Sequence, residues 1–301
     1  MVSWLSPKEE IQLNRALDSS DPIEPATAER LLKEVKQVMD EAGVTFFLRQ
    51  GTCLGAIRDN RLIPWDDDVD VGSVFGLHGF SEETVEPVVR TLRERGFLTR
   101  IERNDHYVYV PLVKESVRID WSCYWVLDDA VFMYPGVRIP VRLLTDLKEV
   151  EFLGERFLVP NPPEEYLRAK FGEDWRVPKW AGEFEKDILG LIPDVPVPGR
   201  SSRLKQFLAR NLQWGRAARV RVLDEQGRPV NGAEVSVAGL GISRANKQGV
   251  VRLYVPRFDY YALAVTFDGH KRVLFVEKIT PGQSYVYRPG EEHLLAGDGT
   301  G

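Results

Sequence analysis

The spacing of apolar residues predicts alternating helices and strands in the first part of the chain. Residues 27–43 (TAERLLKEVKQVMDEAG) carry Leu, Val and Met at helical intervals, and the glycine that ends the segment is a typical helix stop. The apolar run VTFFL at 44–48 predicts a buried strand, followed by a glycine turn and a short helix over CLGAIRD. The order predicted here is helix, strand, turn and helix.

Later apolar segments continue this pattern. Short strands are predicted for VDVG at 69–72 and for residues 107–113 and 117–127, whereas residues 82–95 and 164–172 have the spacing of helices. Strands of this kind between helices are typical of an α/β (α+β) domain. We therefore predict such a domain with a mixed sheet over residues 1–199.

The pattern of apolar residues changes after residue 217, from mixed helical and strand spacing to short strand-like runs. Five short runs rich in β-branched and aromatic residues are separated by the turn sequences DEQG, NKQG and DGH. Strands at this spacing predict a small all-β antiparallel sandwich over residues 217–290. Residues 291–301 have little to bury, so we expect a disordered tail.

A basic segment separates the two predicted domains. Residues 195–223 contain no acidic residue, and 200–216 predict an amphipathic linker helix. We expect this helix to pack on its own domains. The alternative is that residues 200–221 make a peripheral contact with an anionic membrane surface or an anionic acceptor.

Composition narrows the class of protein. The formal net charge of −5 argues against general nucleic-acid binding. No apolar stretch reaches the length of a membrane span, the N-terminus lacks a signal-peptide pattern, and the two cysteines suit free thiols. These features predict a cytoplasmic protein.

Four aspartates crowd into IPWDDDVDVG: Asp66, Asp67, Asp68 and Asp70. Alternation along a strand places Asp68 and Asp70 on one face, where two nearby carboxylates repel each other unless a cation lies between them. Carboxylate oxygens suit Mg²⁺ or Mn²⁺, cations that recruit substrate phosphates. The alternative is an exposed turn or a calcium loop, although the apolar flanks disfavour exposure.

Other residues extend this candidate site. Asp120 interrupts the apolar strand VRIDWS and is the candidate for a third carboxylate. Gly51 and Thr52 stand where a strand gives way to a helix, so their N–H groups and hydroxyl can bind phosphate oxygens. Arg58, one to two turns further on, can reach the same anion or form a salt bridge instead. The combination predicts phosphate chemistry.

Residues 51–72 (GTCLGAIRDNRLIPWDDDVDVG) are similar to the signature of the LicD/fukutin-related phosphotransferases, and residues 151–178 resemble a later block of that family. The resemblance spans roughly residues 30–180 and implies a nucleotidyltransferase-like fold. By matching position it implies metal ligands at Asp68, Asp70 and Asp120 and nucleotide-phosphate contacts at Gly51 and Thr52. Cys53 occupies a position that is often Leu in the family.

The activity implied is a metal-dependent transfer of a phospho-substituent, such as phosphocholine or a polyol phosphate, from a CDP-activated donor. The acceptor is a hydroxyl of a glycan or lipid-linked glycan, as in lipopolysaccharide, teichoic acid or capsule biosynthesis. Asp120 or Asp67 is the general base, a choice that the residues leave open. Asp66 and Asp67 are also candidates for substrate or nucleotide binding, and Asp66 can instead orient the metal ligands.

Two other functions remain as alternatives. One is nucleotidyl transfer to a small molecule or protein, and the other is a catalytically inactive module that binds a nucleotide or a glycan. The C-terminal segment is similar to carboxypeptidase-regulatory, transthyretin-like modules, whose usual roles are packing and binding. We expect passive packing, with acceptor or partner binding as the alternative.

Overall fold

The computed structural model describes residues 5–104, 106–179, 192, 217–255, 259–291 and 293–297. The chain divides into two compact units, the first formed by Met1–Phe132 with Arg138–Ala181 and the second by Met133–Val137 with Gly182–Gly301. The predicted linker helix at 200–216 lies outside the described residues. The predicted domain boundaries stay predictions.

Two helices open the first unit. Helix α1 spans Pro7–Asp18 and was not predicted, because it buries only one side chain fully. Helix α2 spans Pro25–Glu41, and the apolar face that predicted it is buried. Gly43, at φ +66°, follows its end and supplies the left-handed residue that stops many helices.

The central sheet and the helices between its strands comprise β1 Phe47–Leu48, α3 Gln50–Arg58, β2 Val69–Val74, a 3₁₀ turn at Glu82–Thr84, α4 Val85–Glu94, β3 Leu98–Thr99, β4 Glu102–Arg103, β5 Tyr107–Lys114 and β6 Val117–Tyr124. The strand order is β1-β2-β6-β5-β3, and β4 pairs with β5. Strands β2 and β6 are parallel, and the other neighbours are antiparallel. The sheet is therefore mixed, which confirms the predicted α/β class of this unit.

Burial explains why the central strands were readable from sequence. All six residues of β2 are buried, as are seven of the eight in β6. Strands covered on both faces read as apolar runs, so an acidic residue within one stands out. The strand predicted at 44–48 is shorter than expected, although Val44 and Phe46 are also buried.

Small elements complete the part of the chain up to residue 179. They are the paired strands β7 Ala130–Met133 and β8 Val137–Pro140, helix α5 Arg142–Thr145, the hairpin of β9 Lys148–Phe152 with β10 Glu155–Val159, and helix α6 Pro163–Phe171. Helix α6 matches the segment predicted at 164–172. Gly172, at φ +87°, follows it.

The described strands of the second unit are β11 Ala218–Val222, β12 Glu234–Val237, β13 Gly241–Arg244, β14 Val250–Leu253, β15 Asp259–Phe267, β16 His270–Ile279, β17 Ser284–Tyr287 and β18 Leu295–Ala296. They form two four-stranded sheets, ordered β14-β11-β17-β18 and β13-β12-β15-β16. Their inward side chains form one hydrophobic cluster that includes Val220, Val235, Val251 and Val265.

Two details of this unit differ from the predictions. Strands β11 and β17 pair in parallel, so the expectation of a wholly antiparallel arrangement was wrong for this pair. Leu295 and Ala296, in the tail expected to be disordered, pair with β17 through its backbone. Backbone pairing needs no long apolar sequence, which is why composition did not reveal it.

No helix among the described residues has the length and apolar character needed to cross a membrane.

Candidate active site

The pairing of β2 with β6 brings two aspartates side by side. In the parallel register Asp70 lies opposite Asp120, and Val69 lies opposite Ile119. Both aspartates are buried, with 7% and 9% of their surface exposed. Since neighbours on a strand alternate between faces, the carboxyl groups share one face of the sheet and the apolar residues pack on the other.

Asp68 completes a group of three carboxylates. The alternation argument had placed Asp68 inside the strand, whereas the structure places it directly before the first residue of β2. Carboxylate oxygens of Asp68, Asp70 and Asp120 all lie within 4.8 Å of one another. Asp66, Asp67 and Asp68 form a second group by the same measure. The structure therefore brings together all five predicted acidic residues.

Burial and repulsion from neighbouring carboxylates raise the pKa values of four of these residues: Asp66, Asp67, Asp70 and Asp120. Burial raises the pKa of Asp120 to about 6, with a further rise from Asp68 and an opposing effect of Arg118. Burial, followed by the charge of Asp68, holds the pKa of Asp66 well above its usual range. The pKa of Asp70 is likewise raised by burial, against the attraction of Arg49. Carboxylates buried this close together favour the binding of a cation, because its positive charge offsets their mutual repulsion.

Arg49 anchors Asp70. Its Nη2 lies 2.5 Å from Asp70 Oδ1, and its Nε donates a hydrogen bond of 3.1 Å to the carbonyl oxygen of Val71. Its own backbone N–H donates to the carbonyl of Asp70 at 3.1 Å. Lys170, buried on α6, also lowers the pKa of Asp70, though less than burial raises it. Neither cation was predicted, although an arginine directly after the apolar run VTFFL was an available signal.

Arg118 was also missed. Its Nη2 donates hydrogen bonds of 2.9 Å to Asp67 Oδ2 and 2.7 Å to Asp68 Oδ2, and its Nε lies 3.8 Å from Asp120 Oδ1. Tyr109 donates a hydrogen bond of 2.9 Å to the same Asp120 oxygen. Arg118 precedes Asp120 by two positions, so the period of two along a strand was the signal that could have revealed it.

Gly51 and Thr52 lie within the first turn of α3, not in a turn before it. Thr52 Oγ1 accepts a hydrogen bond of 2.8 Å from the backbone N–H of Asp70, which ties the start of α3 to β2. A Cβ at Gly51 would overlap Asp66 Oδ2, so a glycine permits this close approach. The first N–H groups of a helix lack intrahelical acceptors, so their predicted phosphate role stays a prediction compatible with this position.

Arg58 lies at the other end of α3. Its Nη2 and Nε donate to Asp59 Oδ2 at 2.7 and 3.0 Å. It lies eight positions after Gln50 in the same helix, a distance of about 12 Å along the axis. Sequence analysis gave Arg58 two possible roles, a phosphate contact and a salt bridge. The observed geometry favours the salt bridge, and the phosphate contact stays a prediction.

The three-carboxylate group fits Mg²⁺ or Mn²⁺. Within the described part of the chain, hydrogen bonds and ion pairs engage only Oδ2 of Asp68, Oδ1 of Asp70 and Oδ1 of Asp120. Each carboxylate thus keeps one oxygen for another partner. Hard oxygen donors in this number suit a small divalent cation that completes its coordination with water and phosphate.

Comparison with protein families identifies this part of the chain. Residues 43–162 match the family described as LicD/FKTN/FKRP, nucleotidyltransferase domain. Residues 43–162 form a LicD/FKTN/FKRP domain. The match includes every predicted site residue from Gly51 to Asp120, and it confirms the family resemblance of the aspartate segment.

The curated relatives of the LicD/FKTN/FKRP domain include two named transferases. Mouse "Ribitol 5-phosphate transferase FKRP" is 28% identical over 160 residues, which are 49% of this chain and 32% of the relative. Human "Ribitol-5-phosphate transferase FKTN" is 23% identical over 184 residues, which are 56% of this chain and 37% of the relative. The matches thus span about a third of each relative's length.

A solved structure gives a more distant match. The solution structure of antibiotic-resistance factor ANT(2'')-Ia has 17% sequence identity and a TM-score of 0.37 over 55% of this chain and 82% of that chain.

Proposed function

We propose that the LicD/FKTN/FKRP domain of this chain is a metal-dependent phosphotransferase. It transfers a phospho-substituent from a CDP-activated donor to a hydroxyl of a glycan or lipid-linked glycan. The observation that carries the proposal is the convergence of Asp68, Asp70 and Asp120 in a domain with ribitol-5-phosphate transferases among its relatives. These relatives favour a polyol phosphate over phosphocholine as the transferred group.

The proposed roles follow from the positions of the side chains. Asp68, Asp70 and Asp120 would hold Mg²⁺ or Mn²⁺, with Arg49 fixing the orientation of Asp70. When bound, the cation neutralises charge on a pyrophosphate and stabilises the leaving phosphate. Thr52 contacts the backbone N–H of Asp70 through its hydroxyl oxygen. The N–H groups of Gly51 and Thr52 and the hydroxyl of Thr52 would bind donor phosphate oxygens.

Asp67 is the better placed of the two candidates for the general base. About a third of its side chain is exposed, against 13% for Asp120, so an acceptor hydroxyl can reach it. Burial and the charge of Asp68 raise the pKa of Asp67, against the attraction of Arg118, and a base with a raised pKa accepts a proton more readily. We therefore assign proton removal to Asp67 and ligation to Asp120.

The test is product analysis with labelled donors. The full chain is incubated with Mg²⁺, a glycan acceptor and either CDP-ribitol, CDP-choline or a nucleoside triphosphate, and CMP release and acceptor labelling are measured. Asp70→Asn should abolish transfer, whereas Asp146→Asn, at an exposed carboxyl group of the same unit, should not. Transfer of a nucleotidyl group instead would support the alternative enzyme activity.

Binding separates an enzyme from an inactive module. CDP at 100 times its dissociation constant should raise the free energy of unfolding by about 2.7 kcal/mol in the presence of Mg²⁺. Metal-dependent binding of CDP without transfer to any acceptor would favour the inactive module. Absence of both metal and nucleotide binding would contradict the proposal as a whole.

For the second unit we propose a transthyretin-like β-sandwich that packs as an appendage, with acceptor binding as the alternative. Its two sheets share one hydrophobic cluster, which supports a separate packing unit. The cytoplasmic location and the membrane contact through residues 200–221 stay predictions. Vesicle co-sedimentation of the full chain, with and without anionic lipid, would test the membrane contact.

A further inference from the structure

Arg118 lies on the face of the sheet that carries the aspartates. It is two positions before Asp120 on β6, so both side chains project to the same face. Val69 pairs with Ile119 in the parallel register, and one step back along both strands Arg118 lies beside Asp68. The local backbone thus directs a guanidinium into a cluster of carboxylates.

The guanidinium is shared rather than paired with one carboxylate. Nη2 donates to both Asp67 and Asp68, Nε lies 3.8 Å from Asp120 Oδ1, and Nη1 donates to the carbonyl oxygen of Leu17 at 3.1 Å. Nε is buried and has no hydrogen-bond acceptor within the described residues. A bidentate pair would satisfy a single carboxylate, whereas this arrangement spreads one positive charge over three.

This position has two electrostatic consequences. Without a cation, Arg118 offsets the repulsion among carboxylates that are close and partly desolvated. With a divalent cation ligated by Asp68 and Asp120, the same guanidinium is a like charge a few ångströms away and opposes the cation. One side chain therefore stabilises the empty site and destabilises the occupied one.

We propose that Arg118 is a positioning residue that holds Asp67, Asp68 and Asp120 together before a divalent cation binds and, by its charge, weakens the binding of that cation. This inference rests on the metal site of the proposed function. It implies that the site retains its cation well only when donor phosphates add negative charge.

The experiment compares Mn²⁺ affinity among full-length variants by titration calorimetry at pH 8. Arg118→Gln removes the charge but keeps a polar side chain, and it should bind Mn²⁺ about tenfold more tightly than wild type. Arg118→Lys keeps the charge and should remain within about twofold of wild type. A role confined to packing would weaken Mn²⁺ binding or leave it unchanged in Arg118→Gln.

Arg100→Gln is the matched control. The Arg100 side chain is 14% exposed, against 13% for Arg118, and it also contacts the α1 helix, through Asn14. Its ion pair is with Glu102 rather than with an aspartate of the cluster. Its removal should leave Mn²⁺ affinity unchanged.

Thermal unfolding supplies a second readout. In EDTA, Arg118→Gln should melt below wild type, and saturating Mn²⁺ should close most of the gap. If the variant folds only with Mn²⁺, the cation has replaced the lost charge, which supports the inference. A variant that stays unfolded both in EDTA and in saturating Mn²⁺ overturns it.

The outcomes separate this inference from the proposed function. Mn²⁺ binding by wild type with equal or weaker binding by Arg118→Gln overturns the inference alone. If wild type binds no Mn²⁺ and Arg118→Gln does, the metal-dependent function of wild type is contradicted and the inference is supported. No binding by either protein contradicts both.

Discussion

Replacing Asp120 with Asn should stabilise the metal-free protein at neutral and alkaline pH. Burial raises the pKa of Asp120 from 3.8 to about 6, so its ionised form is unfavourable in the folded chain. The amide oxygen of Asn can still accept the hydrogen bond from Tyr109. The substitution therefore removes the charge while preserving the local hydrogen bond.

The magnitude follows from this shift. A rise of about two pKa units corresponds to about 3 kcal/mol, at 1.36 kcal/mol per unit. An acid whose folded pKa is raised stabilises the folded state fully below its unfolded pKa and loses that contribution as pH rises through the folded pKa. The advantage of Asp120→Asn should therefore be small near pH 4, grow up to about pH 6 and level off above about pH 7 at about 3 kcal/mol.

The assay is denaturant unfolding in EDTA at several values between pH 4 and pH 8. Each measurement compares wild type, Asp120→Asn and Asp146→Asn, the last at an exposed residue outside the aspartate cluster. Saturating Mg²⁺ should then stabilise wild type more than Asp120→Asn, because the variant lacks one anionic ligand.

A difference between Asp120→Asn and wild type that stays constant or shrinks as pH rises would refute this reasoning. Such a result would mean that the attraction of Arg118 outweighs burial and the charge of Asp68 at this position. Equal stabilisation of both proteins by Mg²⁺ would remove Asp120 from the metal site.

Three further predictions concern the surroundings of the site. Gly51→Ala should lower the free energy of unfolding by about 1–3 kcal/mol, because the new Cβ overlaps the Asp66 carboxylate. The double variant Gly51→Ala/Asp66→Ala should recover part of that loss, because the overlapping carboxylate is removed. Arg49→Met should cost about 3–5 kcal/mol in EDTA by leaving buried Asp70 without its ion pair; an unchanged denaturation midpoint would contradict this. A chain ending at residue 216 should fold and bind Mn²⁺ with the affinity of the full chain, and calorimetry showing weaker binding by the folded fragment would assign part of the site to the second unit.

Sequence alone determined the elements whose signal is local. The apolar periods of α2 and α4 predicted helices whose inward faces are buried, and the apolar runs around Asp70 and Asp120 predicted the central strands. The turn sequences DEQG, NKQG and DGH marked turns that contain glycines at positive φ. Periodicity and turn chemistry act over a few residues, so they can be read without a partner segment.

The candidate metal ligands were also accessible from sequence, because a carboxylate in an apolar strand is costly to bury and needs a reason. Asp120 was predicted on this ground, fifty positions after Asp70. Family resemblance then supplied the chemistry that such a cluster serves. The family resemblance did not identify Arg49 and Arg118, the cationic residues that form ion pairs with the cluster.

Only the tertiary structure decided how the charges are balanced. The parallel register of β2 and β6 sets Asp70 opposite Asp120, and no local pattern specifies which strands pair or in which register. The same pairing brings Arg118 to Asp67 and Asp68, and the end of β1 brings Arg49 to Asp70. Ion pairs between residues this far apart along the chain depend on the packing of whole strands, so the sequence determined the acids and the fold determined the cations that accompany them.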